Sequence, residues 1–186
     1  IQNENYLSRI ARLAEGNARI AMLAGKLASD ANRLDSINDI TQLYAVYYNS
    51  ALTAAGLESD VQLLATAGLI AFLRTLHIDH IDAVEPVLAQ CHLSKETFVE
   101  KLYTLHKLEF VDICNDKAVR FSEQCLANYI LKYVYCDKKI ISLRAMIRAC
   151  FTVHQEKTLF AINTLLGIYH VDELHTFVGE EIKAVW

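Results

Sequence analysis

Residues 10–28 read IARLAEGNARIAMLAGKLA and contain two apolar helical patterns that meet at a short break. Apolar residues recur at spacings of three and four on each side of this break, which is typical of helices that bury one face. Gly16 can adopt the left-handed backbone that ends a helix. Asn17 is a preferred N-cap, because its side-chain oxygen accepts hydrogen bonds from the free amides of a first turn. The stretch therefore predicts two helices joined by a tight break.

The arginine after this break, Arg19, falls in the first turn of the second helix. The amino end of a helix carries partial positive charge, so a cation is unfavourable there. This position indicates an anionic partner, such as a phosphate. The alternative is a solvated arginine beside Glu15, and the local sequence alone favours that alternative, since weak surface pairs of this kind are common.

The composition bounds the fold and the partners. The chain has 186 residues, of which 53% are hydrophobic and only one is proline, so it can form a sizeable, mostly helical core. Its formal net charge of -4 argues against a general binder of nucleic acid or membrane surfaces, because both need a basic field. The longest apolar run, residues 63–73, is shorter than the ~20 residues that span a bilayer.

The five cysteines are odd in number, widely spaced and set in apolar runs: Cys91, Cys114, Cys125, Cys136 and Cys150. We interpret them as reduced core thiols of a cytoplasmic protein. No basic segment followed by an apolar run opens the chain, so no signal peptide is predicted. The sequence begins at Ile1 and is helical in pattern at both ends, so we expect a fragment of a longer protein.

The first part of the chain contains three predicted helices, at residues 3–15, 18–29 and 37–54. Ser36 is the predicted N-cap of the third helix, after a polar loop at residues 30–35. Gly56 follows the end of this helix and precedes a change in composition.

The next part changes its periodicity. Three further helices are predicted at residues 61–77, 83–91 and 95–108. Residues 109–114 and 117–122 then alternate with a period of two, and Asn115-Asp116 between them is a hairpin-turn signal. Three helices followed by a two-stranded ribbon are the element order of a winged helix.

Four more amphipathic helices are predicted at residues 123–136, 138–152, 155–169 and 171–185. We therefore predict a mainly α chain with a small β-ribbon. Its predicted parts are a helical subdomain at residues 1–56, a winged helix at 57–137 and a helical region at 138–186, which we interpret as the start of a helical array.

This order of parts resembles the regulatory half of a STAND-class P-loop NTPase, a signal-transducing relative of AAA+ ATPases. In that family a winged helix follows a helical lid subdomain, and the lid often opens a helix with a G-N-P-R motif. Here the motif reads Gly16-Asn17-Ala18-Arg19, with alanine in place of proline. Residues 119–130, VRFSEQCLANYI, are also similar to the end of winged helices in bacterial STAND proteins.

The resemblance implies a nucleotide-facing site made of Asn17, Arg19 and Ser122. Arg19 matches the family's sensor arginine, which faces the nucleotide phosphates. In several branches a histidine after the second wing strand touches the nucleotide and holds the closed state. Ser122 occupies that position, and although serine can donate to a phosphate, it lacks the charge of an imidazole.

By resemblance, the chain is the regulatory part of a nucleotide-switched signalling ATPase, in antiviral or other bacterial defence or in stress signalling. The parent protein would bind ATP or ADP with Mg through an upstream nucleotide-binding domain of the same chain. Proteins would bind the C-terminal helices, and an oligomer is compatible with the family. The sequence itself contains neither a G-x-x-x-x-G-K-S/T loop nor a strand ending in paired carboxylates, so the fragment alone is predicted to be non-catalytic and to hold no cofactor.

Two other functions stay open, a DNA-binding winged-helix regulator and a helical protein-interaction scaffold. The predicted recognition helix mixes three lysines with two glutamates: Lys95, Lys101, Lys107, Glu96 and Glu100. Phosphate binding needs a net basic face, so we expect no specific DNA binding.

Two other groups of residues have weaker patterns. The most basic segment carries Lys138, Lys139, Arg144 and Arg148. We interpret it as a solvated face, with contact to nucleic acid or an acidic partner as the alternative. Histidines and a cysteine near residues 77–92 are too loosely spaced for a zinc site, so no metal is predicted.

Overall fold

A computed structural model of the chain describes residues 4–29 and 37–186. The chain divides into two compact units, Ile1–Ala54 and Ala55–Trp186. The architecture is mainly α with a small antiparallel sheet, which confirms the predicted fold class. The predicted loop at residues 30–35 and the predicted cap Ser36 lie outside the described residues. No helix in the described ranges is long and apolar enough to cross a membrane.

The first unit contains three helices, α1 (Glu4–Ala14), α2 (Ala18–Ser29) and α3 (Ile40–Ala54). Both helices around the predicted break are confirmed. α3 begins three residues later than predicted. Its first turn is held by Asp39, whose Oδ1 accepts from Gln42 N at 2.8 Å, while Gln42 Oε1 accepts from Asn38 N at 2.7 Å. This reciprocal capping fixes the start of the helix at Ile40.

The second unit begins with a 3-10 turn, Leu57–Ser59, and the buried helix α4 (Val61–Leu73). The elements that follow are β1 (Thr75–His77), a 3-10 segment (Ile78–Val84), α5 (Glu85–Gln90), α6 (Lys95–Lys107), β2 (Val111–Cys114) and β3 (Ala118–Phe121). β3 lies between β1 and β2 and is antiparallel to both. This is the element order of a winged helix, which has a helix, a strand, two helices and two strands, with the first strand beside the last.

The prediction of one helix over residues 61–77 is wrong. α4 ends at Leu73, and Arg74 turns the chain with a φ of 62°. Thr75 then pairs with Arg120, which makes the ribbon a three-stranded sheet. A strand of three residues is too short to show a period of two, so its existence depends on this distant pairing.

The rest of the second unit is helical. It comprises α7 (Gln124–Lys132), a π-helical turn (Tyr133–Asp137), α8 (Leu143–Cys150), α9 (Gln155–Ile168) and α10 (Asp172–Lys183). α8 packs against α5, and α9 packs against α4 and α7. The predicted boundary between residues 137 and 138 therefore falls inside this unit, and a separate helical region stays a prediction.

Every residue of α4 from position 63 to 73 is buried. Such a helix has no polar face, and it is typical of the centre of a packed core rather than of a surface. α6, α7 and α9 all pack against it. The winged helix and the later helices therefore share one core that is built around α4.

Candidate functional site

The break between α1 and α2 has the geometry that its sequence predicts. Gly16 adopts a φ of 85°, and Asn17 N donates to Ala14 O at 2.7 Å. Asn17 Oδ1 accepts from Arg19 N at 3.0 Å and from Ile20 N at 3.4 Å. The side chain of Asn17 is therefore the N-cap of α2, and its oxygen is occupied by the helix.

Arg19 lies in the first turn of α2 with an exposed side chain. No hydrogen bond or ion pair joins that side chain to Glu15 or to any other residue in the described part of the chain. The first turn of α2 also contains no acidic residue. Arg19 thus adds an uncompensated cation to a helix end that is already partly positive.

Ser122 has a structural role at the end of β3. Its hydroxyl lies 2.8 Å from Glu109 O and 3.0 Å from Phe110 O, and its backbone N–H donates to Phe110 O at 3.1 Å. These bonds tie the end of the ribbon to the segment between α6 and β2. A serine hydroxyl has one proton, so donation to a phosphate would require Ser122 to release these carbonyl groups.

The structure thus brings together two of the three residues that the resemblance implies. Asn17 and Arg19 share the first turn of α2. Ser122 belongs to the second unit.

The outer face of α6 is mixed in charge. Lys101 Nζ lies 2.8 Å from Asp60 Oδ2, at the start of α4, so this lysine is neutralised within the protein. Glu96 and Glu100 are exposed beside Lys95. The helix that would enter a DNA groove in a DNA-binding winged helix therefore lacks a basic face.

The four cations of the basic segment at residues 138–148 are exposed, as the solvated-face interpretation expects, and three of them also contact the rest of the second unit. Arg144 Nη2 lies 2.8 Å from Glu181 Oε1, and Arg148 Nη2 donates to Ala184 O at 3.2 Å. Lys139 Nζ lies 4.5 Å from the centre of the Phe177 ring. These side chains hold α10 and the residue that follows it.

A second group of cations was missed by the sequence analysis. Arg74 and Lys157 are 83 positions apart in sequence but both reach the start of β1. The only local signal in the sequence is an arginine directly after the apolar run at residues 63–73; in the structure this arginine adopts a positive φ, where glycine or asparagine is usual.

None of the five cysteines forms a disulfide, and they are not all buried. Burial raises the pKa of Cys91, Cys136 and Cys150 to about 12, so these thiols stay protonated at neutral pH. Cys114, at the end of β2, is exposed and is not the core residue that we predicted. Among residues 4–29 and 37–186, no group of three or more His, Cys, Asp and Glu side chains is placed to hold a metal ion.

Two features bear on function: the cation at the amino end of α2, and the mixed charge of the outer face of α6. Comparison of the chain with models of known protein families, with curated proteins and with solved structures finds no match.

Proposed function

We propose that this chain is the regulatory part of a nucleotide-switched signalling ATPase. In this proposal α1–α3 form a lid over a nucleotide, and the winged helix and later helices respond to the position of the lid. The single observation that carries the proposal is Arg19, an exposed cation in the first turn of α2 with no acidic partner in the described part of the chain.

The local electrostatics support an anionic partner at this point. Asn17 occupies the amides of Arg19 and Ile20, which leaves the guanidinium of Arg19 as the donor that can reach outward. A guanidinium can form two parallel hydrogen bonds to a phosphate, and the positive end of α2 strengthens the attraction. The arrangement therefore fits the phosphate end of a nucleotide.

The nucleotide would be held mainly by another domain of the same polypeptide. A phosphate loop and carboxylates for magnesium are needed for phosphoryl transfer, and the sequence contains no such loop. In this proposal ATP or ADP with Mg binds to a nucleotide-binding domain, and Arg19 adds a contact that depends on lid closure. Bacterial defence or stress signalling is the biological setting that we propose.

DNA binding is the competing function, because the winged-helix order occurs in many DNA-binding proteins. The pairing of Lys101 with Asp60 and the exposure of Glu96 and Glu100 argue against it. We therefore propose that the winged helix packs against protein rather than against a duplex.

The test is Arg19→Ala in a form of the protein that includes the nucleotide-binding domain. A charge-assisted hydrogen bond is worth roughly 1.5–3 kcal/mol, so we expect nucleotide affinity to fall about ten- to a hundredfold. Arg12→Ala is the matched control, because Arg12 is an exposed arginine in the last turn of α1. If Arg19→Ala lowers the melting temperature sharply and leaves nucleotide affinity unchanged, Arg19 is structural and the proposal fails.

A further inference from the structure

Arg74 is held in place by two contacts at the start of β1. Its guanidinium carbon lies 3.7 Å from the centre of the Phe160 ring, and its Nη2 donates to Gln124 Oε1. Gln124 is in turn fixed, because its Nε2 donates to Asn128 Oδ1 at 2.8 Å. The plane of the guanidinium is therefore set by the protein before any ligand binds.

Lys157 reaches the same place from α9. Its Nζ donates to Thr75 O at 2.5 Å, and Thr75 is the residue after Arg74. Lys157 also lies one turn before Phe160 on α9, a spacing that places these two side chains on one face of the helix. This Arg74–Lys157–Phe160 cluster is formed by α9 and the segment that joins α4 to β1.

The two cations of this cluster have no anionic partner. No ion pair joins either side chain to a carboxylate in the described ranges, and Glu156, the acidic residue in the first turn of α9, is exposed. Burial lowers the pKa of both Arg74 and Lys157, although a nearby carboxylate would raise it. Lys157 lies in the first turn of α9, whose N-cap residue makes no side-chain capping bond. Neither cation of the cluster is therefore paired directly with a carboxylate.

The backbone conformation of Arg74 also indicates a binding role. Arg74 has φ 62° and ψ -54°, a conformation that is strained for a residue with a side chain. Glycine would adopt this conformation without strain. The backbone of Arg74 therefore costs conformational free energy, which the contacts of its side chain must offset. Strained positions of this kind occur at ligand-binding residues.

We propose that the Arg74–Lys157–Phe160 cluster is a binding site for a phosphate monoester or inorganic phosphate. Two cations match a dianion, and the fixed guanidinium presents its remaining N–H groups as a fork that fits two oxygens of one phosphate. Phe160 is 43% exposed, so the ring side of the cluster is open to solvent. The site lies wholly in the second unit and is independent of Arg19.

The experiment is an NMR titration of the full 186-residue chain with inorganic phosphate at neutral pH and constant ionic strength. We expect saturable shifts at the amides of Arg74, Thr75 and Lys157. Arg74→Gln should weaken binding about tenfold or more, and Arg74→Lys should restore little, because lysine keeps the charge but lacks the fork. Arg12→Gln, which removes one exposed arginine from the first unit, should leave the affinity unchanged.

Three results would overturn the proposal. They are the absence of saturable shifts at these amides, an equal loss of affinity in Arg12→Gln, and acetate binding as tightly as phosphate. Melting curves of each variant without phosphate separate loss of binding from loss of folding, and Lys157→Gln provides a second test if Arg74→Gln unfolds. Phosphoserine compared with inorganic phosphate then shows which source binds more tightly, and either preference supports the site.

Discussion

Gly68, in the middle of α4, lies against Val134 so closely that no side chain fits between them. A Cβ added to Gly68 would lie 2.6 Å from Val134 Cγ1 and 3.1 Å from Val134 Cβ. The next residue, Tyr135, donates its buried hydroxyl to Gly68 O at 3.3 Å. The π-helical turn thus packs onto α4 at the one glycine of that helix.

Gly68→Ala should therefore destabilise the protein, although alanine usually favours a helix interior by about 1 kcal/mol over glycine. Val134 is fully buried and β-branched, so it can neither move nor rotate easily, and overpacking costs about 1–3 kcal/mol. We expect a net loss of up to about 2 kcal/mol in the free energy of unfolding, measured in urea. Gly179→Ala in α10 is the control, because a Cβ there meets nothing within 4 Å, and it should stabilise. Stabilisation by both substitutions would contradict the contact.

The charge on Arg19 should oppose the stability of α2. We expect Arg19→Glu to raise the free energy of unfolding by a few tenths of a kcal/mol, because a carboxylate is favourable at the amino end of a helix. Arg12→Glu, in the last turn of α1, should lower it by a similar amount for the opposite reason. Thermal unfolding of the two variants checks the signs, and a large loss for Arg19→Glu would show that Arg19 has a structural partner.

Asp60 should contribute stability that disappears in acid. Burial raises the pKa of its carboxyl, but hydrogen bonds from Lys101 Nζ and Leu63 N outweigh this and hold the pKa below its ordinary value of 3.8. The contribution is therefore present above pH 3.8 and is lost as the pH falls through the lower, folded-state pKa.

Asp60→Asn keeps an N-cap but removes the charge, so it should be less stable than wild type at neutral pH and equally stable in strong acid. A difference in stability that does not change with pH would refute the ion pair. Since the carboxyl is partly exposed, we expect a small effect that salt reduces.

Cys114 should be the fast-reacting thiol of the native protein. It is exposed, whereas burial raises the pKa of Cys91, Cys136 and Cys150 to about 12 and Cys125 is buried. Since the thiolate is the nucleophile, an aromatic disulfide reagent should label one cysteine rapidly at neutral pH. Cys114→Ser should abolish this fast phase and Cys125→Ser should leave it intact. A fast phase that survives in Cys114→Ser would mean that the core opens readily.

The winged helix should not bind duplex DNA specifically at physiological salt. Lys101 is paired with Asp60, and Glu96 and Glu100 repel phosphates from the outer face of α6. Glu96→Lys combined with Glu100→Lys should create weak, salt-sensitive binding where the wild type has none. A nanomolar wild-type complex that survives competitor DNA in a gel-shift experiment would instead support a DNA-binding regulator.

Local signals predicted local features well. Asn17 caps α2 as its sequence indicates, because a cap bonds to amides two or three residues away. Asn115 and Asp116 both adopt positive φ, at 51° and 54°, as a tight hairpin turn requires. In each case the physical cause lies within one turn of chain.

Features that depend on distant residues were missed. β1 exists because Thr75 meets Arg120, and Arg74 is oriented by Phe160, 86 positions further along the chain. The cations of the basic segment are exposed, as a solvated face requires, but the ion pair of Arg144 with Glu181 was not predicted. No window of sequence contains both members of these pairs, so the cluster at Arg74 could be found only after folding.

The burial of every residue of α4 from position 63 to 73 has a consequence for how the second unit unfolds. A helix with no polar face cannot remain folded in water after its neighbours leave, so it has no stable partly opened form. The amide protons of residues 64–73 should therefore exchange with deuterium only when the whole unit unfolds, whereas those of α10, which has few buried side chains, should exchange through local fraying. α4 thus makes the winged helix and the helices after it one cooperative folding unit.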